Sequence, residues 1–196
     1  QQLLRSADIL CIQEAHGQPG DLDTLVREAP SHCHFGSFSP SPAAGGVLIS
    51  LRNEFVAGVY TFEEIAISPG WCLALRCTGP QLAAQFICIH IEPALAFSAK
   101  VKLLGDILFC SEAFAGSTYL LGDFNFVHSD EARFNVADCR DIGGDTKLAV
   151  KFETLFTAFS ELHQASYTRK QLSHRVISTL SRLDRIYTNI QPCILH

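Results

Sequence analysis

The sequence predicts an α/β fold, a mixed sheet covered by helices. Three observations carry this. Short apolar or alternating runs of strand length recur between turn residues, and longer stretches show the spacing of amphipathic helices. The third is size: 196 residues at 47% hydrophobic suit one domain, 1–196, with a sizeable core. In chain order, 7–12 reads as a short apolar strand and 21–28 as a helix with an Asp start signal, closed by Pro30. Strands follow at 33–38, 46–51, 55–62, 71–77 and 82–91, with the Pro- and Gly-rich loop 39–46 too short to link domains. Val101, Leu104, Ile107 and Leu108 place an amphipathic helix over 98–114, and Ser117 to Leu121 reads as a buried strand. Residues 126–146 form a polar loop holding Asp130, Glu131, Asp138, Asp141 and Asp145, of the length that often carries binding function. A helix over 147–162 and strands at 165–168 and 183–188 close the chain.

Composition narrows the functional classes. The apolar stretches 82–91 and 101–109 are interrupted by Gln85, His90 and Asp106, so none spans a bilayer, and a soluble protein with no membrane partner is expected. The chain opens on Gln1-Gln2-Leu3-Leu4-Arg5-Ser6, without Met or a leader pattern, and is read as a fragment of a longer product. The eight cysteines form no Cys-x-x-Cys pair and mostly sit in apolar runs, which predicts reduced thiols and an intracellular, non-secreted protein of nucleus or cytoplasm. A net charge of −5 argues against a protein that clamps nucleic acid by charge alone. The charge is unevenly spread, with 17 acids and 8 bases over 1–146 against 3 acids and 7 bases over 147–196. The basic second part, which includes Arg169, Arg175 and Arg182, is either a phosphate-facing edge or a solvated surface.

Four polar sites stand in apolar surroundings. Gly122-Asp123-Phe124-Asn125 follows a strand. Alternation sends Asp123 and Asn125 to one side and Phe124 to the core, and an anion beside a neutral amide suits a hard cation and a phosphate oxygen. A strand-ending turn is the plainer reading. Glu14 directly follows the strand Ile9-Leu10-Cys11-Ile12, either on a solvated loop or at a strand end where a metal ion removes the cost of burying its charge. His90 ends the most apolar strand just before Glu92-Pro93, as a structural histidine or as a site member. Asp184 lies in Ser181-Arg182-Leu183-Asp184-Arg185-Ile186-Tyr187, either ion-paired to its flanking arginines or orienting a catalytic histidine.

In this order and at this spacing, the four motifs together resemble the endonuclease/exonuclease/phosphatase superfamily over nearly the whole chain. The Ser181 to Tyr187 motif is most similar to the endonuclease domains of non-LTR retrotransposons. The resemblance implies a four-layer α/β sandwich of two mixed, mostly antiparallel sheets flanked by helices, with the site at one end. It implies that Glu14 holds Mg²⁺ or, in its place, Mn²⁺, and that Asp123 aligns or activates the attacking water. Asn125 binds the scissile phosphate, His90 donates to phosphate oxygens or assists the leaving group, and Asp184 orients a second histidine. The reaction implied is in-line hydrolysis of a phosphodiester in DNA, nicking a target for reverse transcription, with Arg169, Arg175 and Arg182 as DNA contacts and a reverse transcriptase domain in the same polyprotein. Two departures accompany it: the Asn-bearing first strand and the Ser-Asp-His last strand of the family have no counterpart in these 196 residues, so weak or no cleavage is expected of them alone. The competing expectations are a phosphatase or phosphodiesterase for a small or lipid phosphoester, and a copy of the same fold that catalyses nothing.

Overall fold

In a computed structural model the described residues are 7–41, 43–128, 133–135, 140–142, 146–162, 168–173, 176–181 and 183–190. Strands β1 (Ile9–Gln13), β2 (His32–Ser37) and β3 (Val47–Arg52) form an antiparallel sheet in the order β1-β3-β2. A second sheet joins β4 (Thr61–Ser68), β5 (Cys72–Thr78), β6 (Ala83–His90), β7 (Ser117–Asp123), β10 (Ser160–Glu161) and β13 (Asp184–Thr188) in the order β10-β13-β7-β6-β5-β4. Among the described residues of this sheet, only the pair β6–β7 is parallel. Parallel neighbours need a crossover, and helix α2 (Phe97–Glu112) supplies it.

The two sheets pack face to face. Val47, Ile49 and Leu51 of β3 meet Leu73 and Leu75 of β5 and Phe86 and Cys88 of β6 in one core. Strands β5 and β6 are buried on both faces, which explains their near-continuous apolar sequence. On the far side, Ala74, Ile87 and Ile89 meet Leu103, Leu104 and Ile107 of α2 and Leu148 and Phe152 of α3 (Lys147–Leu155). Helix α1 (Asp21–Glu28) lies against β2, where Leu22 approaches Gly36 and His34 Nε2 meets the carbonyl of Ala29 at 3.2 Å. The layers therefore run α1, three-stranded sheet, six-stranded sheet, α2 with α3, and the expected four-layer sandwich is the observed one.

Several boundaries differ from the sequence expectation. The strand expected at 55–62 is a set of turns from Asn53 to Gly58, in which Gly58 takes φ +94° and Val56 is the buried anchor. The strand itself is β4, whose exposed Glu63 and Glu64 disguise it: Ile65 and Ile67 pack on the core, while Glu63, on the same face nearer the strand start, pairs with Arg76 at 3.2 Å. Helix α3 ends at Leu155 rather than 162, since Phe156 leaves the helix at φ −101°, ψ 44° and stacks on Phe152 at 4.4 Å between ring centroids. The polar loop 126–146 contains two short strands, β8 (Arg133–Asn135) and β9 (Arg140–Ile142). They join the unforeseen hairpin β11 (Arg169–Ser173) and β12 (Val176–Ser181) in a separate four-stranded sheet ordered β11-β12-β8-β9. Residues 165–167 of the expected strand 165–168 lie outside the described residues, as do Arg175 and Arg182.

Among the described residues no helix is long and apolar enough to cross a membrane. The six described cysteines are free thiols. Cys72, Cys77, Cys88 and Cys110 are buried, whereas Cys11 and Cys33 are only half-buried.

Candidate active site

Strand registers gather the four sequence sites. Parallel pairing of β6 and β7 sets His90 beside Asp123, and antiparallel pairing of β13 and β7 sets Asp184 on the other side of Asp123. Glu14 arrives from the facing sheet, one residue past the end of β1. A pocket of about 360 Å³ is lined by Glu14, His90, Pro93, Asp123, Asn125, Thr168, Leu183 and Asp184. Every residue the sequence placed in catalysis or metal binding lies on its wall.

The Asp123 and Asn125 pair works differently from simple strand alternation. Strand β7 ends at Asp123, and Asn125 turns into the left-handed region at φ 49°, a conformation Asn tolerates better than most residues. Its backbone N–H donates to Asp123 Oδ1 at 2.9 Å, and its Nδ2 donates to the Ile91 carbonyl at 2.8 Å. One amide hydrogen of Asn125 is thereby used to fix the side chain, leaving the second N–H and the oxygen for a ligand. Phe124 turns inward as expected and is fully buried against Phe126, Phe152 and Tyr187, and such burial contributes roughly 1.5–3 kcal/mol to holding the turn.

Gly122 is required on steric grounds. It takes φ +142°, and a Cβ there meets the Ile89 carbonyl oxygen at 2.0 Å. The close approach of β6 to β7 just before His90 and Asp123 depends on it.

His90 is 5% exposed at its side chain and Glu14 is 64% exposed, with His90 Nε2 3.8 Å from Glu14 Oε1. That separation is too long for a direct hydrogen bond. Glu14 takes φ 54°, and the segment after it is pinned by Ala15 N–H to Gly46 O at 3.0 Å and His16 N–H to Gly45 O at 3.1 Å. Its carboxylate stands at the pocket rim rather than pointing into the core.

Asp184 is not the partner of its flanking arginine. Arg185, 0% exposed, instead donates to both Glu161 oxygens at 3.0 Å and lies over the Phe126 ring at 5.6 Å. The ion-pair reading of Asp184 with Arg185 is therefore corrected: strand alternation sends the two side chains to opposite faces. Arg182, its other neighbour, lies outside the described residues.

Three lining or adjacent residues escaped the sequence reading. Thr168 Oγ accepts the N–H groups of Leu183 at 3.0 Å and Asp184 at 3.1 Å, which fixes the entry of β13 into the pocket. Trp71 packs on His90, with ring centroids 5.2 Å apart. His128, behind the Asp123 turn, meets Glu153 Oε1 at 2.6 Å and Tyr187 OH at 2.9 Å, tying α3 to β13. A lone Thr before basic residues carries no sequence signal; the sole Trp, directly after Pro69-Gly70, was the one cue available. Of the expected DNA contacts, only the backbone of Arg169 is described, at the start of β11 next to Thr168.

The lining holds three carboxylates, Glu14, Asp123 and Asp184, and neither lysine nor arginine among the described residues. A phosphate ester entering such a wall meets like charge unless a cation neutralises it. No three His, Cys, Asp or Glu side chains among the described residues are grouped closely enough to cage an ion. Sparse oxygen donors of this kind fit Mg²⁺, which keeps several of its waters, better than Zn²⁺, which takes four close N or S ligands.

A model of the Endonuclease/Exonuclease/phosphatase family matches residues 1–191. No curated protein matches the chain by sequence. Among solved structures, the AP endonuclease LMAP from Leishmania major superposes with TM-score 0.68 at 11% identity, covering 95% of this chain and 71% of that one. The Xenopus laevis APE2 catalytic domain gives TM-score 0.66 at 15% identity over 94% and 74% of the two chains. D. rerio TDP2 complexed with single strand DNA product gives 0.58 at 17% identity over 95% and 72%. At these identities the likeness is one of fold.

Proposed function

The chain belongs to the endonuclease/exonuclease/phosphatase family, and on that premise we propose that it is a divalent-metal-dependent phosphodiesterase whose substrate is DNA. The observation that carries the reading is the convergence of Glu14, His90, Asp123, Asn125 and Asp184, four motifs spread over 171 residues of sequence, on one pocket wall that among the described residues holds neither lysine nor arginine. DNA is favoured over a small phosphoester because solved neighbours of this fold include AP endonucleases and a TDP2 bound to a single strand DNA product. The Ser181-Arg182-Leu183-Asp184-Arg185-Ile186-Tyr187 motif supports the narrower proposal of a retrotransposon endonuclease that nicks its target within a polyprotein carrying a reverse transcriptase.

The residues divide the work by chemistry. Glu14 would hold the Mg²⁺, and the ion, when bound, would offset charge on the phosphoryl oxygens. Asp123 aligns the attacking water through the carboxylate whose Oδ1 also receives Asn125 N–H. Asn125 offers its uncommitted amide hydrogen to a phosphate oxygen, with its side chain already fixed by Ile91. His90, whose Nε2 faces the pocket 3.8 Å from Glu14 Oε1, would donate to a phosphate oxygen. Asp184, paired with Asp123 across β13 and β7, would orient a cationic partner, and Arg169 is proposed as a DNA contact.

Nicking of supercoiled plasmid by the protein in its natural full-length context, with Mg²⁺ or with chelator, tests this. Metal-dependent nicking that disappears in Glu14→Ala and Asp123→Ala is the expected result, with weaker nicking by residues 1–196 alone. Equal residual cleavage in both variants refutes it, and phosphate release from an inositol phosphate without nicking favours the small-substrate phosphatase instead.

A further inference from the structure

A buried catalytic histidine is ordinarily held in orientation by a hydrogen bond at its second ring nitrogen. His90 lacks one: among the described residues, its Nδ1 is buried without a hydrogen-bond partner. Yet the ring must be held, because Nε2 has to stay aimed at the pocket where Glu14 Oε1 lies 3.8 Å away. What holds it is the chain's only tryptophan. The indole of Trp71 lies 5.2 Å from the imidazole centroid at 48°, and the Trp71 carbonyl accepts the His90 backbone N–H at 2.8 Å.

The indole is itself wedged in place. It follows the turn Ser68 to Trp71, closed by Trp71 N–H to Ser68 O at 2.9 Å. Gly70 takes φ +77° and receives Gly46 N–H on its carbonyl at 2.8 Å, and Ser37 Oγ accepts its own N–H at 3.0 Å. On the other side Gly45, at φ +70°, leaves room for the ring: a Cβ there would stand 3.3 Å from Trp71 Cζ2 and 2.9 Å from Gly70 O. Gly45 thus leaves room for the indole while Gly70 lets the turn before it pass close to Ser39, and the indole packs on His90.

We propose that Trp71 is the positioning residue of His90, fixing the imidazole by packing in place of a hydrogen bond at Nδ1, so that Nε2 alone addresses the phosphate. The inference rests on the reading of His90 as a phosphate-side residue, and its tests keep the two apart.

The first measurement needs neither a variant nor activity. In the folded protein, nuclear Overhauser contacts should link the His90 ring to the Trp71 indole and to Glu14, with one ring rotamer; a rotationally averaged His90 ring without contact to the indole overturns the proposal. The second is a double-mutant cycle on Mg²⁺-dependent cleavage of a duplex oligonucleotide. Trp71→Leu should lower kcat about tenfold with KM changed less than about twofold, as expected for a misaimed catalytic group, and Trp71→Phe should restore most of the loss. In a His90→Ala background Trp71→Leu should have no further effect. An equal loss in that background, or a rise in KM there, means that the indole touches substrate itself and overturns the proposal. If His90→Ala leaves cleavage unchanged, the role assigned to His90 is what fails, and the Overhauser contacts decide the position of Trp71 by themselves.

Discussion

Gly122→Ala should be among the most damaging single-methyl changes in the protein. The added Cβ lies 2.0 Å from the Ile89 carbonyl oxygen and 2.9 Å from its carbon, and both are backbone atoms of the paired strand. Neither can yield as a flexible side chain would. The φ of +142° adds strain that an L-residue must bear. Overpacking costs about 1–3 kcal/mol and a sparsely populated backbone conformation about as much again, so a loss of roughly 4 kcal/mol is expected. For a chain of this length each kcal/mol moves Tm by about 2–4 °C, so thermal unfolding followed by circular dichroism should show a fall of about 8–16 °C. Gly58→Ala provides the control: Gly58 also has positive φ, +94°, but nothing lies within 4 Å of its Cβ position. It should lose only the backbone part, about 1–3 kcal/mol. A Gly122→Ala protein within about 2 °C of wild type, or one no worse than Gly58→Ala, refutes the steric argument.

Gly105→Ala, in the interior of α2 with nothing near its Cβ position, should stabilise the protein by about 0.5–1 kcal/mol in urea denaturation. Glu161→Ala should cost about 3 kcal/mol, because it leaves the fully buried Arg185 guanidinium without the carboxylate that receives it; calorimetry on the variant, with Glu161→Gln as the milder case, measures this. Burial lowers the His34 pKa below 6.5, against an opposing contribution from the Ala29 carbonyl. The unfolded state therefore binds more protons between the folded pKa and 6.5, so stability should rise with pH across that window, and His34→Gln should flatten the slope. Burial also pushes the Cys77 thiol up to about 11 and raises Cys72 well above its usual value, while Cys11 is raised first by its hydrogen bond with Cys88 and then by burial. Peptide mapping after brief alkylation at pH 8 should find Cys72 and Cys77 protected in the folded protein and labelled in denaturant.

The candidate site was legible through the resemblance of its four motifs, in their order, to a known family, and each member ends a strand or lies within two residues of a strand end, where the sequence changes abruptly from apolar to polar. Ile89-His90, Leu121-Gly122-Asp123 and Leu183-Asp184 show that change directly. Where a segment lacks that contrast the reading slipped. Strand β4 carries Glu63 and Glu64 because it is an edge, and α3 stops at Leu155 because aromatic packing, invisible in a helical pattern, draws Phe156 and Phe159 into the core. The hairpin of β11 and β12 mixes Ser and other polar residues with isolated apolar ones and is organised by pairing with β8, a contact between residues more than 40 positions apart.

By itself, then, the order of residues determined the α/β class, the inward Phe124, and the identity of Glu14, His90, Asp123, Asn125 and Asp184 as one set. The class and the inward Phe124 follow from local alternation, whereas the set of five is read from the resemblance of its four motifs, in their order, to a known family. The tertiary structure decided how the set is held. It decided that Asn125 reaches the pocket through a left-handed turn secured by Asp123 and Ile91, that Asp184 is seated by Thr168 rather than by its neighbouring arginine, and that an indole braces His90. Apart from the Asn125–Asp123 bond, each joins residues well separated in the chain, and the pairing of β5, β6, β7 and β13 within the six-stranded sheet brings them together.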